Sequence, residues 1–364
     1  MGDWLRRLRY NRQAQLAALA VVLLIGAVGV WFGIYYVMQH DVVAIPLTVT
    51  DGITPTSTIS LTARLLDGML VQSSEAAHQP IGVMIENAAF DGVRPQFGLG
   101  TAQVVYEVIV EGGITRFLAL YSGDLPEKIG PVRSARPTYL EFVSEYDALY
   151  AHAGGSPEAM QAIAGLQLKD LSALGSDSRF FFRDNARVAP HNLFTSAELL
   201  QFALRDKKLQ APITEFDSWQ FTEDAKPVTS PVEEKYIDID FGSGPLYQVH
   251  YRYNYAANNY ERYNGGELQV DAATNQTISV RNIIVQIVPP GIAAGDNGRI
   301  NFSVTGTGTV YVANNGQVIE GSWQKKDRLS RTVLYNNDGE PINLVAGNSW
   351  IAIVPDTVGL VSFN

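Results

Sequence analysis

Between Gly112 and Ser156 the chain places Arg116, Arg133 and Arg136 beside two points where a strand-like run becomes a helix-like run. A guanidinium grips phosphate or carboxylate with two parallel hydrogen bonds, so three in one stretch point to anion chemistry. GPVRSARP puts Pro137 at a first helical position, and HAGGSP puts Ser156 at an N-cap with Pro157 just inside. A helix start offers unpaired N–H groups and a partial positive charge, which also suits an anion. The pattern predicts a phosphate, pyrophosphate or carboxylate site built from Arg116, Arg133, Arg136, Gly154, Gly155 and Ser156. The three guanidinium groups are expected to converge on one concavity near Gly154–Ser156. Arg183, Arg187 and His191, in FFRDNARVAPHN, are further ligand-binding candidates, and Arg94 is a sixth arginine beside proline.

Candidate acids and bases are fewer. Glu107 and Glu111 lie four residues apart in an apolar run. On one strand face they would stand about 13 Å apart, too far to pair but close enough to line one pocket and hold arginines. The alternative is a solvated edge-strand face. Glu111 and His152 are the candidate catalytic bases, against the plainer reading of His152 as a buried histidine satisfied by backbone. Ser156 reads as a helix cap, since no nucleophile-elbow pattern surrounds it. Five scattered histidines with no HExxH spacing give no metal site and no required cofactor. Mg²⁺ held with substrate phosphates remains open for an enzyme, because that ion needs only one or two carboxylates. With no cysteine, disulfides, thiolate metal sites and a cysteine nucleophile are excluded.

The elements that must position these groups come in two blocks. IGVMIEN, VVYEVIV and ITRFLALY read as strands, and Tyr139, Phe142, Val143 and Tyr146 share a helix face. A second helix follows from Glu158 to Leu166, and Ser196, or Thr195 with Glu198, caps a third. The expected fold is an α+β or α/β N-terminal domain, a mixed sheet with flanking helices, over residues 79–222. Residues 223–234 are polar and proline-bearing and read as a linker. Residues 235–364 carry short β-branched and aromatic runs with Gly and Asn turns, including Asn314-Asn315-Gly316, and predict a mostly-β C-terminal domain. Its tyrosines at 251, 253 and 255 share a strand face, either as a carbohydrate or peptide platform or as aromatic packing.

Ahead of both domains, Arg6, Arg7, Arg9 and Arg12 precede an apolar body from Leu16 to Met38. As a helix it spans roughly 34 Å, enough for a hydrocarbon core of roughly 30 Å. Residues 1–40 therefore read as a cytoplasmic Arg-rich tail and one transmembrane helix, with the rest extracytoplasmic. A cleaved signal peptide is the alternative. Residues 41–78 read as a stalk with a short helical piece around Leu61–Val71. A net charge of −10 argues against nucleic acid as a partner.

PIGVMIEN, RPQFGLGTAQVVYEVIVEGGITRFLALY, KIGPVRSARP, EYDALYAHAGGSP, RDNARVAPHNLFTS and SRTVLYNNDGEPINLVAGNSWIAIVP together resemble the YerB-like family of bacterial cell-envelope proteins, from about Pro80 to Pro355. The resemblance implies an N-terminal α/β-type domain, a smaller C-terminal domain and a lipoprotein-type anchor through a cysteine, which this chain lacks. LYAHAGGSPEAMQAIAGLQLKDL is similar, over about 25 residues, to part of the LytR-CpsA-Psr phosphotransferases, which bind polyprenyl pyrophosphate through arginines. Arg133 matches their arginine-aspartate motif, but Ser134 stands where the aspartate is expected.

Two function classes follow. One is a membrane-anchored binding or regulatory protein of the cell envelope, its arginine pocket taking an anionic cell-wall or lipid-linked ligand or a partner's carboxylates. The other is a phosphotransferase-like enzyme acting on lipid-linked glycopolymers, with Glu111 or His152 as base.

Overall fold

IGVMIE and VVYEVI are buried at every position, the pattern of strands covered on both faces. The computed structural model describes residues 60–90, 92–213, 216–222, 224, 233–294 and 298–364. The first block contains β1 (Ile81–Glu86), β2 (Val104–Ile109) and β3 (Thr115–Tyr121). It continues through α1 (Pro137–Glu145), β4 (Leu149–His152), α2 (Pro157–Leu166), β5 (Asp170–Ser172) and α3 (Ala197–Asp206).

The second block is mostly β, as its composition requires. It contains β6 (Tyr236–Asp240), β7 (Val249–Asn254), β8 (Asn259–Asn264), β9 (Glu267–Leu268) and β10 (Ser279–Val280). Then come β11 (Asn282–Val288), β12 (Gly306–Asn314), β13 (Gln317–Lys325), β14 (Val333–Asn336), β15 (Ser349–Pro355) and β16 (Leu360–Phe363).

The two blocks share one 10-stranded mixed sheet, in the order β14-β13-β12-β11-β15-β2-β3-β1-β4-β5. The join is β15, which runs parallel to β11 on one side and to β2 on the other, with Trp350 in register with Ile283 and Val105. All seven residues of β15 are buried, as expected of a strand paired on both sides and covered on both faces. A second sheet runs β9-β8-β7-β6-β16, with β10 also on β8. In β7 the alternation puts Val249, Tyr251 and Tyr253 inward. Asn314 pairs with Gln317 across the β12–β13 hairpin, and Asn315 and Gly316 take φ of 50° and 67°, which fits a tight two-residue turn.

The helices follow their side-chain pattern. Tyr139, Phe142, Val143 and Tyr146 are buried on one face of α1, and the Phe142 ring stacks on Tyr106 at 4.0 Å. Burying such an aromatic side chain contributes about 2–3 kcal/mol. Ser156 caps α2 by accepting from Ala159 N at 3.2 Å, and Ser196 caps α3 from Leu199 N at 3.3 Å.

The helical piece expected around Leu61–Val71 is instead a hairpin, Leu61–Ala63 against Leu70–Gln72. Gly68 at φ +70° makes the turn, and Arg64 grips Asp67 at 2.7 Å across it. Leu66 and Ala76 are buried, so the chain is packed well before Pro80. Among the described residues no helix is long and apolar enough to cross a membrane. The segment Leu16–Met38 lies outside the described residues, as does most of 223–234.

Candidate functional site

Glu111 does not share a strand face with Glu107. β2 ends at Ile109, and Gly112 and Gly113, at φ +69° and +70°, reverse the chain into β3. The turn carries Glu111 over two arginines. Arg136 donates from Nε to Oε2 at 2.7 Å and from Nη2 to Oε1, and Arg116 Nη2 reaches Oε1 at 3.3 Å. Two further donors go to backbone, Arg116 Nη1 to Ser134 O at 2.8 Å and Arg136 Nη1 to Ala135 O at 2.7 Å, while the buried Arg116 Nε has no hydrogen-bond partner among the described residues. Burial works to raise the Glu111 carboxyl, but the Arg136 hydrogen bond and the Arg116 charge outweigh it and hold the group at about 2. Burial, then the neighbouring Arg136 charge, lowers Arg116 from its usual value. The three arginines therefore do not form one pocket. Arg116 and Arg136 are closed by Glu111, whose low proton affinity and engaged oxygens make it a poor general base.

The Gly154–Gly155 segment is a packing device. Ala135 N donates to Gly154 O at 2.8 Å, Ser156 N to Ala135 O at 3.3 Å, and Ala153 N to Arg133 O at 3.0 Å. A Cβ on Gly155 would meet Met160 Sδ at 2.9 Å and Ala135 Cβ at 3.2 Å, so the two backbones approach closely only with glycine there. His152 is fully buried, its Nδ1 2.7 Å from Gly154 O and its Nε2 2.7 Å from Asp170 Oδ1. Neither ring nitrogen is free for a substrate.

Arg133 stands apart from this closed set. It lines a cleft of about 360 Å³ together with Arg183, Leu174, Phe181, Phe182 and Leu193. Its backbone N donates to Met84 O at 2.9 Å, which fixes the loop on β1. Its Nε is 3.2 Å from Glu86 Oε1 but not aligned for a hydrogen bond. The terminal nitrogens of Arg133 take no partner among the described residues. Glu86, at the end of β1 with its side chain 4% exposed, also meets His191 Nδ1 at 2.8 Å. Arg183 lies on the exposed rim and gives Nη1 to Asn192 Oδ1 at 2.6 Å. The apolar rim is open too, with Leu174 66% and Phe182 38% exposed.

The other two arginines are braces. Arg187 donates to Val93 O at 2.8 Å and Pro95 O at 2.7 Å while lying over Phe97 and Phe194. Arg94 donates to Asn87 O at 2.8 Å and Leu246 O at 3.0 Å, tying the two blocks. Among the described residues no group of three or more acidic or histidine side chains is arranged to hold a metal.

Sequence reading missed the ion pairs between the blocks. Glu107 points inward to Arg262 Nη2 at 2.6 Å, with both side chains essentially unexposed. Trp350 Nε1 and Thr115 Oγ1 also donate to Glu107, at 3.2 and 2.8 Å. Glu145 likewise takes Lys325 at 3.0 Å and Arg331 at 2.9 Å. The available signals were a charge inside VVYEVIV and Arg262 at the inward parity of YERYN.

These features define an α+β protein of two sequence blocks joined through one sheet, with a cleft on the N-terminal block whose lining includes Arg133 and Arg183. Residues 66–210 match the family model described as the N-terminal domain of a protein of unknown function (DUF3048), and residues 237–351 match its C-terminal domain. The "Putative lipoprotein YerB" of Bacillus subtilis (strain 168) is 30% identical over 292 residues, covering 80% of this chain and 86% of that protein. A crystal structure of the YerB protein from Bacillus subtilis matches with a TM-score of 0.73 at 28% identity, over 83% of this chain and 99% of that one. The chain belongs to the YerB-like family.

Proposed function

We propose that this is a membrane-tethered, extracytoplasmic envelope protein whose Arg133–Arg183 cleft binds an anionic head group carried on an apolar chain, such as a lipid-linked phosphate, in cell-wall or envelope maintenance. The observation that carries the reading is Arg133, which lines a cleft, is held through its loop backbone, and whose terminal nitrogens have no hydrogen-bond partner among the described residues. The exposed apolar rim of Leu174 and Phe182 suits the tail. The apolar segment Leu16–Met38 and the lipoprotein name of the relative support the tether. Phosphotransfer has less support, because Glu111 and His152 are both engaged and Ser134 donates to Ala153 O at 2.9 Å.

The test is binding of labelled undecaprenyl phosphate to the full chain in micelles. Arg133→Ala is expected to weaken it about 10- to 100-fold, the usual worth of charge-assisted hydrogen bonds. Equal binding by both chains removes the lipid-phosphate reading.

A further inference from the structure

A larger cleft, about 860 Å³, lies along β13 and β14 and takes no part in the reading above. Its walls carry Trp219 and Tyr335, the amides of Gln220 and Gln324, and the opposite charges of Asp217 and Lys326. Its size is that of a pocket for a small-molecule ligand.

Trp219 is only part-buried, yet it is fixed. Its Nε1 donates to Thr332 O at 2.9 Å, and the Arg331 guanidinium lies 3.9 Å from its ring centroid. Arg331 is held in turn by the Tyr146 ring at 4.0 Å and by Glu145 at 2.9 Å. A part-exposed aromatic ring fixed by an edge hydrogen bond and by a guanidinium on one face is preorganised, since little entropy is lost when something packs on what it leaves open. Beside it, Gln220, Gln324, Asp217 and Lys326 are exposed; the first three side chains have no partner among the described residues, and Lys326 has the neighbouring charge of Asp327. Gln324 stands on a rigid ladder, in register with Val333 and Thr307. The buried ammonium of Lys325 is already spent on Glu145 at 3.0 Å and on two backbone carbonyls.

Rigid ring faces favour a flat apolar surface. Free amides favour a ligand whose groups both donate and accept, as hydroxyls do. Asp217 and Glu145 offset two of the three cations Lys325, Lys326 and Arg331, and the small net charge left disfavours a ligand of strong net charge. A pyranose has an apolar C–H face and a rim of hydroxyls, and no ionised group. We propose that this cleft binds an uncharged oligosaccharide.

The experiment is calorimetric titration of the full chain with chitotetraose, cellotetraose and maltotetraose, alongside a neutral tetrapeptide and an oligogalacturonate. The wild type is expected to bind at least one neutral sugar in preference to the peptide and the acidic sugar. Gln220→Ala/Gln324→Ala, at exposed positions, is expected to weaken that binding about tenfold with an unchanged melting temperature. Trp219→Ala is expected to abolish it, and the amide variant keeps the test decisive if Trp219→Ala fails to fold. No neutral sugar bound by the wild type, unchanged binding in the amide variant, or preference for the peptide or the acidic sugar each overturns the proposal. Arg133→Ala should leave sugar binding intact, so this site and the anion cleft fail or stand separately.

Discussion

Arg133 and Arg136 stand three residues apart on one loop, and they end in opposite situations. Arg136 sits with Arg116 around Glu111, two guanidinium groups sharing one carboxylate, with outer donors on the Ser134 and Ala135 carbonyls. Arg133 has one loosely aligned carboxylate and lines a cleft, its terminal nitrogens without a hydrogen-bond partner among the described residues. Spacing does not separate them. The difference lies in what each side chain finds when the loop is laid between β1 and the Gly154 turn. A guanidinium closed by protein groups works for the fold, and one left open is available to a ligand. The same contrast extends to the Glu107–Arg262 pair between the blocks, which is closed more completely than the Glu111 set, with Arg262 Nε, Nη1 and Nη2 on Tyr251, Gln269 and Glu107.

The largest effect should come from breaking the most closed pair. Glu107→Gln leaves Arg262 as a buried charge without its counter-ion, with Trp350 and Thr115 still aimed at the lost carboxylate. The expected loss is about 3–5 kcal/mol in urea unfolding. It should register in both blocks at once, because the pair ties them. A loss under about 1 kcal/mol would show that the pair is not what closes the interface.

Glu111→Gln comes next, at about 1–3 kcal/mol, and carries a pH signature. The Glu111 carboxyl sits at about 2 in the fold against an ordinary 4.5. Its pKa is depressed, so its stabilisation is present in full above the ordinary value and is lost as pH falls toward 2. Wild type should therefore lose up to about 3 kcal/mol across that window, and Glu111→Gln should be flatter there. Parallel pH curves for the two chains would mean that Glu111 does not hold the arginines.

Much of the fold was legible because its signals are local. The Ser156 and Ser196 caps, the α1 face and the Asn315–Gly316 hairpin depend on residues within a few positions of each other. The merging of both blocks into one sheet depends on β15 meeting β2 about 245 residues away, and strand pairing of that range leaves no local trace. The site was half legible for the same reason. Arginine type and loop context marked Arg116, Arg133 and Arg136, but the carboxylate that answers each one is set by two glycines and by strand order. Glu86, which meets both Arg133 and His191, ends a run that reads as pure core.

The smallest effect tests the open side. Arg183 is exposed on the cleft rim, with a neutral amide as its one hydrogen-bond partner among the described residues, so Arg183→Ala should leave the melting temperature unchanged. An exposed charge acts on an incoming anion through solvent, where it is worth about 0.5–1 kcal/mol and is screened by salt. Binding of a lipid-linked phosphate should weaken about two- to five-fold at low salt, and the difference from wild type should shrink as salt is raised. Arg133, being less exposed and pinned through its backbone, should keep its larger effect at the same salt. If Arg183→Ala proves more damaging than Arg133→Ala, the anion sits on the rim, and Arg133 belongs with Arg136 among the arginines that serve the fold.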